Sequence, residues 1–330
     1  MFNFKKIIIY SLSMIIPYIF GSSSLESNIF DFTTINNQYK YPLVTSWSKD
    51  QLVCASCGYF ALSRVLEYYG TLVSILNKDK IKNYDISIDW LIDIGLTSLE
   101  QTTVDCGDTC SLTPALFKQI INALYTVCQE DYDANSTEFC VIESEWCPYS
   151  YDAYAGVVDI NKLCRDYHSN NVIKINSSPK TKDNIVFEQA YSGVYTVYRQ
   201  FEQFGTGFVG YVSLYLQATC YGYIIDAYKE NPLTLLTNDI QACKLNDPSD
   251  YAQSNHAVAF VGMGKWPVDG DYKDKLYAKL LNSWGINVGD NNFIYVLLED
   301  IPGQITSTSY KGPLNIYDVF ITLTPPPTPQ

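Results

Sequence analysis

The apolar positions change their repeat along the chain. Over Cys54 to Tyr69, the residues Phe60, Leu62, Val65, Leu66 and Tyr69 recur at near-helical spacing and Gly70 follows as a stop, so a helix is predicted to begin near Cys57. Pro114 to Val127 repeats the pattern through Leu116, Ile120, Ile121 and Leu124, with Pro114 in the first turn, where its missing N–H costs nothing. In the second half the runs shorten: Gly207 to Leu216, His256 to Val261, Tyr277 to Leu281, Phe293 to Leu298 and Val319 to Leu323 are apolar or alternating and bounded by turn residues, and read as strands. Helices followed by strands predict an α+β fold. Between Cys128 and Cys164 there is no clean period, and that stretch reads as disulfide-held loop.

The two ends behave differently. Lys5 and Lys6, the apolar run Ile7 to Phe20 and then Gly21-Ser22-Ser23-Ser24 follow the order of a secretory signal peptide, assigned to residues 1–24. The run is shorter than the roughly 20 apolar residues needed to span a bilayer and contains Pro17, so no stable membrane span is expected. Leu25 to Lys40 is too short for a domain of its own. At the other end, residues 325–330 carry Pro325-Pro326-Pro327-Thr328-Pro329, an extended tail that cannot join a sheet ladder.

Composition narrows the function classes. With 47% hydrophobic and 17% charged residues the 330-residue chain is globular, and a net charge of -13 argues against nucleic acid as a partner. Ten cysteines after an export signal indicate a disulfide framework and passage through the secretory pathway, to a lysosome-like vacuole or the outside. Asn135 and Asn176 open glycosylation sequons in that setting.

Candidate chemistry centres on Gln51-Leu52-Val53-Cys54-Ala55-Ser56-Cys57-Gly58. A zinc site needs more ligands than this pair of cysteines supplies, and the chain holds only two histidines, so no metal or cofactor is expected. A thiol at a helix start is a different matter, because the helix N-terminus favours its thiolate and makes Cys57 a nucleophile. Gln51 can then donate to a developing oxyanion beside the Cys57 backbone N–H. The base must be His168 or His256, and His168 sits in a polar stretch without context. His256 opens an apolar strand, and Asn282, at the end of another, can fix its tautomer and ring orientation.

In order along the chain, Gln51 to Ala61, Asn255-His256-Ala257-Val258 and Asn282-Ser283-Trp284-Gly285 resemble the Gln-x-x-Cys-Gly-Ser-Cys-Trp-Ala-Phe, Asn/Asp-His-Ala-Val and Asn-Ser-Trp-Gly motifs of the papain and cathepsin cysteine peptidases. Val104-Asp105-Cys106, Cys110 and Trp146-Cys147-Pro148-Tyr149 extend the resemblance over roughly Tyr41 to Leu323. The resemblance implies a peptidase domain at 41–324, a helical half at about 52–165 and a β-barrel-like half at about 166–324 facing across an active-site cleft. It implies Cys57 as nucleophile, His256 as base and then acid, Asn282 as orienter shielded by Trp284, and Gln51 as oxyanion donor. It also implies disulfides Cys54–Cys110 and Cys106–Cys164, and leaves Cys128, Cys140, Cys147, Cys220 and Cys243 unassigned. Protein or peptide substrates and cystatin-like inhibitors are the partners it suggests, with residues 25–40 as a minimal propeptide or simple N-terminal segment.

Three departures accompany the resemblance. Gly58 stands where the family has tryptophan, and Ser111, Leu112 and Thr113 replace the glycines of the strip that grips substrate. His256 follows Cys57 by 256 − 57 = 199 residues, against about 130 to 150 in the family. Insertions at Leu72 to Ile86, Cys128 to Cys147 and Cys220 to Asp250 are expected to absorb the difference. The same scaffold also serves papain-like acyltransferases and ligases, and binding or adhesion proteins with impaired catalysis.

Overall fold

Helix α1 (Cys57–Leu76) is buried from Cys57 to Leu72 on every face, as a helix enclosed on all sides requires. The computed structural model describes residues 28–31, 33, 42, 44, 49–51, 56–76, 83–98, 103–104, 114–126, 138–145, 147–148, 158–159, 172–176, 185–188, 210–217, 221–237, 253–297 and 315–323. The helix runs past Gly70, the predicted stop. Thr71 and Leu72 are buried beyond it, and that packing outweighs the roughly 1 kcal/mol that glycine costs inside a helix.

The second helix, α2 (Ile88–Ser98), lies in a region for which no element was expected from sequence. Its start was nevertheless written there: the Ser87 Oγ accepts from Trp90 N–H at 3.1 Å, and Asp89 stands in the first turn. Helix α3 (Pro114–Thr126) matches its predicted span, buries Ile120, Ile121 and Leu124, and packs on α2. The strand β3 (Glu138–Ile142) pairs antiparallel with β5 (Val172–Asn176), so the stretch from Cys128 to Cys164 is not all loop. Cys140 and Cys147 are both disulfide-bonded, as a crosslinked segment demands. A second two-stranded sheet joins β2 (Thr103–Val104) to β4 (Val158–Asp159).

The main sheet runs in the order β6 (Ile185–Glu188), β12 (Asn315–Leu323), β7 (Gly210–Gln217), β9 (Gln253–Lys265), β10 (Leu276–Leu281), β11 (Phe293–Leu297), β8 (Leu235–Leu236), with β1 (Asn28–Asp31) also on β9. All pairs are antiparallel except β11 with β8. All five predicted strands are present, and β9 is longer than expected, opening three residues before His256. Every residue of β9 from His256 to Gly264 is buried, with α1 packed on this strand. The class is therefore α+β, with the first helix laid on the longest strand.

Two expected insertions contain regular structure. Residues 72–76 close α1, and the Cys220 to Asp250 stretch forms α4 (Tyr221–Glu230) and β8. Residues 28–31, inside the segment read as a propeptide or N-terminal extension, are strand β1, paired with Gly262 to Gly264. Outside the described residues lie the signal-peptide span, Cys54, Cys106, Cys110, Ser111, Leu112, Thr113, Asn135, Cys164, His168 and the proline tail. Asn176 ends β5, in register with Glu138. Among the described residues no helix is long and apolar enough to cross a membrane.

Candidate active site

Cys57 is the first residue of α1, and its neighbour Ser56 starts the helix by accepting Tyr59 N–H at 2.9 Å through its carbonyl. A sulfur at that position lies at the positive end of a long helix, which favours negative charge on it. The contact of α1 with β9 brings the sulfur under the strand carrying His256. The backbone N–H of Ala257 donates to Cys57 Sγ at 3.3 Å across 200 residues of sequence. Cys57 is a free thiol, unlike the disulfide-bonded Cys140 and Cys147.

On β9, His256 is paired in register with Leu214 of β7 and is buried. Its Nε2 lies 2.7 Å from Asn282 Oδ1. With an amide oxygen as acceptor, Nε2 carries the proton and Nδ1 is the nitrogen that can exchange one. Burial pushes the imidazole down from 6.5 to about 4, while the Asn282 hydrogen bond pulls weakly the other way. A thiolate at Cys57 would oppose that shift, because an opposite charge at close range favours the imidazolium. The Trp284 ring stacks on the imidazole with centroids 4.5 Å apart and planes 20° apart, covering one of its faces.

Asn282 leaves the end of β10 and is fixed on two sides. Its Oδ1 also accepts Ser283 N–H at 2.9 Å, and its backbone N–H donates to Asn292 O at 2.8 Å. The segment 49–51 runs antiparallel beside it: Asp50 bridges Trp284, and Gln51 N–H donates to Ser283 O at 2.8 Å. The Ser283 hydroxyl donates to Gln51 Oε1 in a short hydrogen bond. That bond uses the amide oxygen of Gln51 as acceptor, so its NH2 is the side-chain group that can donate. Close approach of the two segments needs Gly285, whose φ is +83°. A Cβ there would lie 2.5 Å from Asp50 Oδ2.

The structure thus links Cys57, His256, Asn282, Trp284 and Gln51, all singled out from sequence, through a series of contacts that passes by Ala257 and Ser283. Cys57 is fully buried, and His256 and Asn282 are 2% and 3% exposed. Three contributors escaped the sequence reading. The Ala257 N–H is backbone and has no side-chain signal; Ser283 was inside a quoted motif without a role; and Asn292 was marked only by the turn-forming run Asp290-Asn291-Asn292. Chemically, the arrangement offers a thiol with two sources of thiolate stabilisation, an imidazole of fixed tautomer, and an amide donor held in place.

No protein-family model matches the chain, and no curated protein matches it. Among solved structures the chain is similar to the bromelain protease of Ananas comosus in complex with the E-64 inhibitor, at 16% identity over 89% of this chain and 98% of that one, with a TM-score of 0.48. It is similar to a Carica candamarcensis cysteine protease in complex with E-64, at 17% identity over 85% of this chain and 93% of that one, with a TM-score of 0.44. SERA5E from Plasmodium falciparum is similar at 16% identity over 84% of this chain and 89% of that one, with a TM-score of 0.47.

Proposed function

We propose that this chain is a divergent papain-like cysteine peptidase, hydrolysing peptide bonds as an endopeptidase on the secretory route. The observation that carries the reading is the juxtaposition of a free helix-start thiol with the β9 strand whose histidine is held by an asparagine: Ala257 N–H to Cys57 Sγ at 3.3 Å, His256 Nε2 to Asn282 Oδ1 at 2.7 Å. The order of the sequence motifs supports it independently. In this reading His256 takes the Cys57 proton, and the thiolate attacks the carbonyl carbon. The C–S bond forms as the carbonyl π pair moves to oxygen, where Gln51 and the Cys57 backbone N–H stabilise it. Collapse breaks the C–N bond, His256 protonates the departing amine, and a thioester remains. Water, deprotonated by His256, then cleaves the thioester and regenerates the thiol. Protein or peptide substrates and cystatin-like inhibitors are the partners this reading implies.

The test is labelling by the epoxide E-64, with Cys57→Ala as control, followed by mass spectrometry of the modified peptide. Stoichiometric modification of Cys57 and none of the control is expected between pH 4 and 8. Absence of labelling throughout that range sinks the peptidase reading. Labelling without hydrolysis of any peptide in a diverse library turns the assignment toward acyl transfer or binding.

A further inference from the structure

Asn292 stands just before β11 with a φ of +73°, a left-handed conformation that asparagine tolerates better than most side chains. It is fully buried. Its Nδ2 donates to two main-chain carbonyls at once: Asn282 O in a short hydrogen bond, and Lys49 O at 3.2 Å. Its own carbonyl accepts Asn282 N–H at 2.8 Å. Both backbone groups of Asn282, the residue that holds His256, are therefore taken by Asn292. The second carbonyl belongs to the residue two before Gln51. The Asn292 Oδ1 has no hydrogen-bond partner, so this buried amide carries a desolvation cost that only its donor side offsets.

Burying an amide with one end unpaired, in a backbone conformation that glycine would adopt freely, is a poor choice for stability alone. We infer that Asn292 is a positioning residue for the nucleophile–base pair, clamping the 49–51 and 282–284 segments so that Asn282 sets the imidazole and Gln51 faces the reacting carbonyl. The inference rests on the proposed roles of Cys57 and His256. Displacement of Asn282 by a fraction of an ångström turns the His256 ring about its Nε2 bond, and misplacement of a reacting group is costly in rate.

The experiment follows iodoacetamide alkylation of Cys57 against pH on the full chain, a reagent that needs no substrate pocket. Asn292→Gly keeps the φ without strain and deletes the clamp. It is expected to remain folded by near-UV circular dichroism while its alkylation rate at pH 6 drops about tenfold and the acidic limb of its profile moves toward higher pH. Asn292→Asp keeps shape and turn preference but turns a carboxylate toward two carbonyls. Its rate relative to wild type should rise as pH falls from 8 to 5, because protonation restores one donor. Wild-type rate and profile in the glycine variant overturn the inference. Should the glycine variant fail to fold, a flat ratio for the aspartate variant overturns it equally. A wild type that alkylates fast at acidic pH yet cleaves no peptide overturns the hydrolase reading only; a wild-type thiol no faster than in the denatured chain overturns both.

Discussion

At the residue scale the decisive group is His256. Its ordinary value of 6.5 is pushed to about 4 by burial, so the folded protein binds this proton less readily than the unfolded chain. Above pH 6.5 both states are neutral at this site and it contributes nothing to the pH dependence. As pH falls from 6.5 toward about 4, the unfolded chain takes the proton first and stability declines, by about 3 kcal/mol in all, levelling below that range. This loss should appear undiminished in Cys57→Ala, where the imidazole faces no sulfur. In the wild type, a thiolate at Cys57 would keep the proton on the ring at lower stability cost, and urea unfolding free energies of the two proteins should then diverge as pH drops below 6.5. Parallel curves mean that the pair carries no charge separation. Of the site residues, Cys57, His256, Asn282, Gln51 and Trp284 were legible because their chemistry is in their side chains and their spacing repeats a known order. Ala257, Ser283 and Asn292 were not, because they act through backbone groups or through partners more than two hundred residues away, as with Ser283 and Gln51.

At the scale of elements, β9 is the spine on which the site hangs, and β1 shows how it is braced. Asp31 on β1 and Lys279 on β10 both stand opposite Gly262 of β9, one on each side. With no side chain on Gly262 between them, Lys279 Nζ reaches across the strand to Asp31 Oδ2 at 2.7 Å and to Thr33 Oγ1 at 2.9 Å, while lying 4.1 Å from the centre of the Phe293 ring. The side chains of Lys279 and Asp31 are 11% and 5% exposed, so removing one partner strands the other charge. Lys279→Met is expected to cost about 3 kcal/mol or more in urea unfolding, and Asp31→Ala a similar amount. Cleavage of the chain after Asp31 should then release stability along with the peptide. An unchanged unfolding midpoint after such cleavage makes the segment dispensable, as a propeptide is. Helix ends show the same division of labour: Pro114 announced α3 locally, whereas α1 crosses Gly70 only because Leu72 has a core to enter.

At the scale of the molecule, a buried charged chain connects the helical layer to the site. Glu67, near the middle of α1, takes Arg64 Nη1 at 2.8 Å on one oxygen and, on the other, Lys49 Nζ at 2.8 Å and Ile86 N–H at 3.1 Å. Lys49 also meets Asp85 at 2.8 Å, and its carbonyl is one of the two that Asn292 holds. The register of α1, which places Cys57, is thereby tied to the segment that places Gln51 and, through Asn292, to Asn282. Glu67→Ala removes the carboxylate that meets the buried Arg64 and the partly buried Lys49, and should lower stability by about 3 kcal/mol in urea unfolding. At urea concentrations where it is still folded, it should also slow Cys57 alkylation, whereas a variant that loses stability alone confines the network to folding.

The sequence by itself determined what local chemistry can determine: a thiol at a helix start, an imidazole opening an apolar strand, the amide that would hold it, α3, and the places of the five strands. Those features depend on side-chain type and on periods of 2 or 3.6 residues, both written in the chain. The tertiary structure alone decided that α1 continues beyond Gly70, that residues 28–31 join the sheet at Gly262, that a lysine crosses β9 to reach Asp31, and that Asn292 holds the Lys49 and Asn282 carbonyls together. Each of these depends on pairing between distant residues, where burial and an unmet hydrogen bond, rather than propensity, set the outcome.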